Sequence, residues 1–217
     1  MISNGQGLFE FLGIDQATDQ QKKLATLVNA EDEPNFNPIL VCGLDASYSN
    51  DRAIAVAATW SLVTRKLVEM AEYRDSISTN YMPGFFGFRE GKLLVGAVSR
   101  LGSNPDVFLA DGHGKAHPRR FGLACHVGLE INKPTIGVAK KHFYGTIQKQ
   151  YILDTDGAIL GKTLTGKNDK TRFVSVGHKI SLDKAVHIVE SCADDDDPIP
   201  LRIAHREANR LRDSLEK

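Results

Sequence analysis

The chain has few cysteines and no long hydrophobic run. Only three of its 217 residues are cysteines, and Cys42, Cys125 and Cys192 are far apart. This odd, scattered set fits neither a disulfide framework nor a zinc site, so we expect a reducing compartment, the cytoplasm. No apolar run approaches the roughly 20 residues that a membrane-spanning helix needs. The first residues lack a basic segment followed by an apolar core, so we expect neither a signal peptide nor membrane association.

The chain also lacks a net charge, because 27 lysines and arginines balance 27 acidic residues. The charges are nevertheless unevenly distributed. Residues 112–149 carry seven basic side chains and a single acid, Glu130. A local basic field of this kind suits an anionic ligand such as a nucleic acid, although an ordinary solvated face would have the same composition.

Apolar runs and turn residues predict an α/β fold. Three closely spaced strands, at 39–48, 53–62 and 66–74, indicate an antiparallel meander. Two more buried strands each follow a helix, which gives the order βββ-α-β-α-β. These later elements are helices at 91–101 and 119–130 and strands at 106–110 and 134–139. The order predicts a mixed, five-stranded type of sheet flanked by helices, in a single domain over residues 1–217.

The remaining segments predict additional elements at both ends of the chain. Residues 15–29 have the pattern of a surface helix, and residues 200–216 that of a C-terminal helix. Residues 174–178 predict a short strand, after which Ser181 is placed to cap a helix. The acidic run 194–197 is most simply a solvated loop.

Two carboxylates occupy positions where a metal ion can be held. Asp45 lies inside an apolar strand, and a buried, unpaired carboxylate is costly. Asp111 directly follows the predicted strand 106–110. If the first and fourth strands are neighbours, the two side chains converge, and a divalent cation removes their repulsion. The alternatives are a buried arginine or backbone amides as partners of Asp45, and a turn cap at Asp111.

The segment that begins at Asp111 adds groups that suit phosphate. Residues 111–120 read DGHGKAHPRR, with two glycines, two histidines and three basic side chains. Glycines let a backbone approach closely, and lysine and arginine attract phosphate. Mg²⁺ accepts few protein carboxylates and leaves positions open for phosphate oxygens. The segment therefore has the parts of a metal-dependent phosphodiester site.

Three further candidates have weaker signals. Glu90, in FREG at 88–91, is by itself better explained as an acid in the first turn of a helix than as a metal ligand. His205 is a lone histidine on the C-terminal helix, where such residues are usually surface or packing groups. Residues 81–86, YMPGFF, form an apolar turn that is either a core plug or a wedge inserted between bases.

Together these segments resemble the endonuclease V family, repair nucleases for deaminated bases with a ribonuclease H-like fold. The resemblance runs from about residue 20 to residue 205. Its most specific segments are YMPGF with FRE at 81–90, DGHGKAHPRR at 111–120, PTIGVAK at 134–140 and VGHKIS at 176–181. It implies a monomer that recognises inosine in DNA and hydrolyses the second phosphodiester bond on the 3′ side. The implied products are a 3′-hydroxyl and a 5′-phosphate, and the implied cofactor is Mg²⁺, with Mn²⁺ able to substitute.

The resemblance also implies roles for individual residues. Its metal-binding acids fall on Asp45, Glu90 and Asp111, and a helical polar residue beside the metal falls on His205. The positions that contact phosphate or base fall on Gly84, Gly112, His117, Gly122 and Lys140. Backbone groups at the three glycines are placed to distinguish hypoxanthine from adenine and guanine, and His117 and Lys140 to contact phosphate.

The wedge is the one segment that departs from the family pattern. It falls on Tyr81, Met82 and Pro83. The family's usual wedge sequence is Pro-Tyr-Ile-Pro, and the corresponding residues here are Asn80-Tyr81-Met82-Pro83. Loss of that proline loosens the loop, and methionine is more flexible than isoleucine. We therefore expect weaker strand separation or a different strand preference.

Three other functions stay open at this point. An endoribonuclease acting on inosine in RNA would use the same chemistry and contacts to the 2′-hydroxyl. A small-molecule phosphotransferase can share this sheet order, but such enzymes usually need a second domain and glycine-rich phosphate hairpins. A catalytically silent lesion-binding module is the third, and the intact acids Asp45, Glu90 and Asp111 argue against it.

Overall fold

The computed structural model describes residues 7–77 and 80–214, and these contain five helices and eleven strands. The helices are α1 (Ile14–Ala25), α2 (Phe86–Val98), α3 (Leu123–Ile131), α4 (Leu182–Cys192) and α5 (Ile199–Asp213). The first five strands are β1 (Leu40–Ser49), β2 (Arg52–Ser61), β3 (Lys66–Ser76), β4 (Val107–Ala110) and β5 (Thr135–Ala139). The others are β6 (Thr146–Gln148), β7 (Tyr151–Leu153), β8 (Ile159–Thr165), β9 (Thr171–His178), β10 (Ala193–Asp194) and β11 (Asp197–Pro198).

Nine strands form one sheet in the order β3-β2-β1-β4-β5-β9-β8-β7-β6. The central strands β1, β4 and β5 are parallel, and the pairings on both sides of them are antiparallel. The predicted fold class, a mixed sheet flanked by helices, is confirmed. The sheet is longer than expected because four antiparallel strands, β6 to β9, extend it beyond β5.

Helices cover both faces of the central strands. α2 and α3 pack on one face through side chains such as Leu94 and Val127, and α4 and α5 pack on the other through Val189 and Ala204. The residues of β1 and β2 are therefore buried on both sides, which explains their nearly continuous apolar sequences. Every helix in the described part of the chain is too short or too polar to traverse a bilayer.

The register between β1 and β4 places the two predicted metal acids side by side. The parallel pairing ends at Leu44 and Ala110, and Asp45 and Asp111 are the next residue on each strand. The amide of Asp111 donates to the carbonyl of Leu44 at 3.1 Å, which holds the two strand ends together. The predicted adjacency of the first and fourth strands is confirmed.

Gly43 lets the start of α5 lie directly on β1. A Cβ atom at this position would lie 2.2 Å from the carbonyl carbon of Pro200, a distance that real Cβ atoms do not tolerate. The close approach brings the next turns of α5 over the end of β1. It therefore determines which α5 side chains can reach Asp45.

Helix α2 begins at Phe86, five residues before the predicted start at residue 91. Glu90 therefore lies beyond the first turn and is buried, so the explanation as a first-turn acid is wrong. The extra turn is packed against α3. The backbone at Gly87 lies so close to the buried His126 that a Cβ there would be 1.9 Å from its Nδ1. A glycine between aromatic residues has low helix propensity, and local sequence therefore did not indicate this turn.

Helix α3 begins at Leu123, later than the predicted start at residue 119. Arg120 has a φ angle of 52°, in the left-handed region, and so cannot belong to the helix. By contrast, Ser181 caps α4 as predicted, because its Oγ accepts from the amide of Lys184 at 3.2 Å.

Two predictions about the second half of the chain need correction, and three strands there were missed. The predicted strand 174–178 is the end of the longer β9, and the strands β6, β7 and β8 were not predicted at all. The acidic run is not simply a solvated loop, since β10 and β11 pair across it. Asp196 is buried and accepts from both the amide and the side chain of Asn168.

Candidate active site

A cleft of about 470 Å³ opens at the carboxyl edge of the central strands. It brings together all but one of the residues that the sequence marked as candidates. These are Asp45, Tyr81, Pro83, Gly84, Glu90, Asp111, Gly112, His117, Gly122, Lys140 and His205. Met82 alone is not among the lining residues.

Asp45, Asp111 and His205 form the group that can hold a metal ion. One ligand atom from each lies within 4.8 Å of the others. The group combines two carboxylates, which prefer hard cations, with one imidazole nitrogen. Such a donor set fits Mg²⁺ or Mn²⁺ at the point where β1, β4 and α5 meet.

The electrostatics of this group favour a cation. Burial, and then the nearby Asp45 carboxylate, raises the pKa of Asp111 above its ordinary value. The ammonium of Lys140 contacts Oδ2 of Asp111 and opposes that rise. The hydrogen bond to Asp45 raises the pKa of His205. Within the chain itself, the two carboxylates thus have the ammonium of Lys140 and the imidazole of His205 as partners.

His205 is oriented by contacts to both of its ring nitrogens. Its Nδ1 lies 2.6 Å from Oδ2 of Asp45, and its Nε2 lies 3.1 Å from Nδ2 of Asn209. The Oδ1 atom of Asn209 accepts from Ser47 at 2.9 Å and from Arg212 at 3.1 Å. These donors fix the amide so that its NH₂ faces His205. Without a bound cation the imidazole proton therefore sits on Nδ1, and this proton would have to leave for that nitrogen to bind a metal ion.

Glu90 lies beside the three donors but is not one of them. It is only 3% exposed, and the hydroxyl of Tyr48 donates to its Oε1. Burial raises the pKa of Glu90 well above 4.5, and the charges of Asp45 and Asp111 add to this effect. The ring of Tyr48 is covered in turn by the guanidinium of Arg89, 4.6 Å from the ring centroid. The predicted role of Glu90 in metal binding stays a prediction.

The segment predicted as a wedge has one exposed and one packed side chain. Tyr81 is 64% exposed, and its ring meets Phe86 edge-on at 6.0 Å between centroids. Met82 is half-buried and packs with Phe85 and Phe88. The segment is therefore a core plug at Met82, while Tyr81 lies at the rim of the cleft, where an inserting group would have to be.

The backbone of three glycines forms part of the cleft wall. Gly84 has a φ angle of 82°, which favours glycine. A Cβ at Gly122 would lie 2.3 Å from the carbonyl oxygen of His113, whereas one at Gly112 would meet only the side chain of Leu123, at 3.0 Å. Gly122 is thus required by close backbone packing, and Gly112 is less constrained.

Residues 22–206 of the chain match the endonuclease V family model. The chain belongs to the endonuclease V family. As a member it is a nuclease that hydrolyses phosphodiester bonds, so the predicted family and enzyme class are confirmed.

Individual endonuclease V proteins are similar to the chain in sequence or structure over most of its length. The protein of Geotalea uraniireducens is 37% identical over 187 residues, which cover 82% of this chain and 80% of that protein. The crystal structure of the Streptomyces avermitilis protein has a TM-score of 0.87 at 31% identity, covering 94% of this chain and 95% of that one.

A third relative was crystallised with nucleic acid. Endonuclease V of Ciona intestinalis, in complex with a 24mer DNA containing an inosine followed by a ribo-adenosine, has a TM-score of 0.85 at 26% identity. The match covers 93% of this chain and 98% of that one.

Of the two side chains predicted to contact phosphate, His117 is much less accessible than Lys140. It is 3% exposed, and its Nε2 lies 3.0 Å from the carbonyl oxygen of Gly84. Burial and the nearby Arg119 lower the pKa of His117 to about 3, so the ring is neutral at physiological pH. Lys140, which is about half exposed, is the cation better placed to meet phosphate.

Several cleft residues of this endonuclease V were missed by sequence reasoning. Gln21 lines the cleft although it lies on a helix predicted to be at the surface. Phe143 is 40% exposed, and its ring lies near those of His113 and His117. The motif at 111–120 could have indicated His113, but no sequence pattern singled out Gln21 or Phe143.

Proposed function

We propose that the chain is a metal-dependent endonuclease that recognises deaminated bases, chiefly inosine, in DNA. It hydrolyses the second phosphodiester bond 3′ to the lesion and leaves a 3′-hydroxyl and a 5′-phosphate, as a step of DNA repair. The observation that carries the proposal is that one cleft unites a cation-binding group, a glycine wall and an exposed rim tyrosine. The inosine-containing DNA held by the Ciona relative supports the same substrate.

Mg²⁺ is the proposed cofactor, with Mn²⁺ as a substitute. Asp45, Asp111 and His205 would hold it, with Glu90 adjacent. When bound, the cation supplies Lewis-acid chemistry that stabilises the negative charge developing on phosphate oxygens. Asn209 holds the His205 ring in place from the side away from Asp45.

Base recognition is assigned to backbone groups around the cleft. Hypoxanthine has an O6 acceptor and an N1–H donor where adenine has an amine and an acceptor, and it lacks the 2-amino group of guanine. A rigid wall near Gly84, Gly112 and Gly122 can test all of these features. Each mispaired polar edge in a buried site costs about 1–3 kcal/mol. Two such mismatches give a preference on the order of a hundredfold or more.

Phosphate binding is assigned to Lys140 and the basic stretch around it. Lys140 and Lys141 follow β5 directly and line the cleft. Lys140 contacts Asp111, so its ammonium is held beside the cation-binding group. An ammonium in this position can bind the phosphate next to the scissile bond.

Cleavage of inosine in RNA is the second candidate function. It is favoured by the Ciona complex, whose DNA carries a ribo-adenosine directly after the inosine. That relative therefore accommodates a 2′-hydroxyl on the 3′ side of the lesion. The catalytic residues of this chain would be the same for both substrates.

We also propose that a single chain is active as a cytoplasmic monomer and forms one domain over residues 1–217. The three cysteines are free and buried, which suits a reducing compartment.

The proposal is tested by single-turnover cleavage of matched oligonucleotides that carry inosine, adenine or guanine at one position. Each sequence is prepared as DNA and as RNA. We expect cleavage of the inosine DNA at least about a hundredfold faster than of the two controls. Equal rates for the three bases would leave a non-specific nuclease, and a strong preference for inosine in RNA would favour the second candidate.

A further inference from the structure

Gln21 is a fully buried amide in a helix that otherwise has an exposed polar face. Its side chain is 1% exposed, yet it reaches the edge of the cleft. Its Nε2 donates to the carbonyl of Gly84 at 3.0 Å and to the carbonyl of Phe121 at 3.1 Å. Its Oε1 accepts from Nε of Arg119 at 2.6 Å. One side chain of α1 thus joins two segments that are distant in sequence.

The orientation of this amide is determined by its partners. Carbonyl oxygens only accept hydrogen bonds, and a guanidinium only donates them. The NH₂ group must therefore face Gly84 and Phe121, and the oxygen must face Arg119. Both amide hydrogens are used in this arrangement, which leaves none for a ligand in the cleft.

The carbonyl of Gly84 is the point on which these contacts converge. Besides the bond from Gln21, this carbonyl accepts a hydrogen bond from Nη2 of Arg119 at 2.6 Å, and it lies 3.0 Å from Nε2 of His117. The amide of Arg119 lies 3.2 Å from Nδ1 of His117, so that ring carries its proton on Nε2 and donates to Gly84. The guanidinium of Arg119 also covers the ring of Phe85, 4.5 Å from its centroid.

We infer that Gln21 is a positioning residue that fixes the Gly84 wall of the base pocket and so maintains discrimination between inosine and adenine. The inference rests on the proposed function. Without Gln21, Gly84 loses one of three donors, and the segment that connects Tyr81 to α2 loses its hydrogen bond to α1. A wall that can shift fits more than one base edge, so selectivity falls before catalysis is lost.

Helix α1 itself does not depend on Gln21 for attachment. Ala17 and Leu24, on the same helix, are buried in two separate apolar clusters with Phe85, Phe88 and Phe121. These contacts persist when the amide is replaced by an apolar side chain of similar length. An effect of such a replacement on base selectivity would therefore report the hydrogen bonds at Gly84.

The test compares Gln21→Met with Gln20→Met in the full-length protein. Gln20 lies on the same helix, is partly exposed, and its amide has one bond, to the carbonyl of Leu8 at 3.3 Å. Single-turnover rates are measured on matched inosine and adenine duplexes, with Mn²⁺ affinity and Tm alongside. For Gln21→Met we expect the ratio of inosine to adenine cleavage to fall about tenfold, with unchanged Mn²⁺ affinity. For Gln20→Met we expect the wild-type ratio.

A second variant keeps the test decisive if Gln21→Met does not fold. Arg119→Lys retains the positive charge but removes the fork that joins Gln21 to Gly84, and it should lower the same ratio. A ratio equal to that of Gln20→Met in the folded variants, or equal losses on inosine and adenine, overturns the inference. The wild type is measured before any variant is made. If it does not prefer inosine, the proposed function itself is refuted, which is a different outcome from failure of the inference about Gln21.

Discussion

Asp45 and His205 are 160 positions apart in the sequence, yet Nδ1 of His205 lies 2.6 Å from Oδ2 of Asp45. The contact exists because α5 starts directly on β1 at Gly43 and carries His205 to the end of that strand. Asp111 joins the pair through the register of β1 and β4. A cation site therefore arises from three chain segments that only the fold brings together.

The first prediction concerns this group and the binding of a cation. Asp45→Asn and Asp111→Asn keep the side-chain shape and remove one negative charge each. We expect each to lower Mn²⁺ affinity at least about tenfold, because the site loses a charged oxygen ligand. Titration calorimetry measures this, with Asp51→Asn, at an exposed turn position, as the control. Wild-type affinity in either variant would show that the metal is held elsewhere.

The second prediction concerns stability and pH. Burial raises the pKa of Glu90 well above 4.5, so the folded protein keeps this proton at pH values where the unfolded chain has released it. Glu90 therefore destabilises the fold increasingly as pH rises above about 4.5. In EDTA at pH 8, Glu90→Gln should raise Tm, because the variant no longer buries an ionisable carboxyl group.

This difference in Tm between Glu90→Gln and the wild type should shrink as the pH is lowered towards 4.5, because both side chains are then neutral. Thermal unfolding at several pH values measures it. Glu130→Gln, at an exposed position of α3, is the control and should show no such trend. A lower Tm for Glu90→Gln at pH 8 would mean that Glu90 is ionised and stabilised in the folded protein.

The third prediction concerns the exposed aromatic ring at the rim. Tyr81→Ala should weaken binding to an inosine duplex by about 1–3 kcal/mol, the range for stacking of a base on an aromatic side chain. The loss should be smaller on a single strand, where no partner base has to be displaced. Tyr81→Phe keeps the ring and should bind nearly as well as the wild type. Equal losses on both substrates would contradict insertion into a duplex.

The fourth prediction concerns two glycines of the cleft wall. Gly122→Ala must displace backbone, since its Cβ would lie 2.3 Å from a carbonyl oxygen, whereas Gly112→Ala displaces only the end of Leu123. We expect Gly122→Ala to lower inosine cleavage by at least about tenfold more than Gly112→Ala, with Mn²⁺ affinity retained in both. Single-turnover rates and calorimetry test this. A larger effect of Gly112→Ala would contradict the packing described for the wall.

The sequence predicted those parts of the fold that local patterns control. The central strands were found because burial on both faces gives continuous apolar runs, and the adjacency of β1 and β4 then placed Asp45 beside Asp111. The strands β6 and β7 have only three residues each, and β8 mixes apolar residues with Gly161, Lys162 and threonines, so no clear strand pattern marked them. Their pairing depends on distant partners rather than on periodicity.

The candidate site was predicted less completely, for a related reason. Residues in compact motifs, such as Asp111 and Lys140, were found from the motif itself. The partners that hold Glu90, His205 and Gly84 in place lie on other elements: Tyr48 on β1, Asn209 on α5 and Gln21 on α1. A buried amide or hydroxyl has no sequence signature of its own, because its role depends on what packs against it.

The most direct test of metal-dependent cleavage beside inosine is to map the cleavage position on an end-labelled duplex containing one inosine. The wild type is incubated with Mg²⁺ or with EDTA, and Asp45→Asn with Mg²⁺. We expect one product, from cleavage at the second phosphodiester bond 3′ to the inosine, and only for the wild type with Mg²⁺. Comparable cleavage in EDTA or by Asp45→Asn, or cleavage scattered along the duplex, would contradict the proposed site and its chemistry.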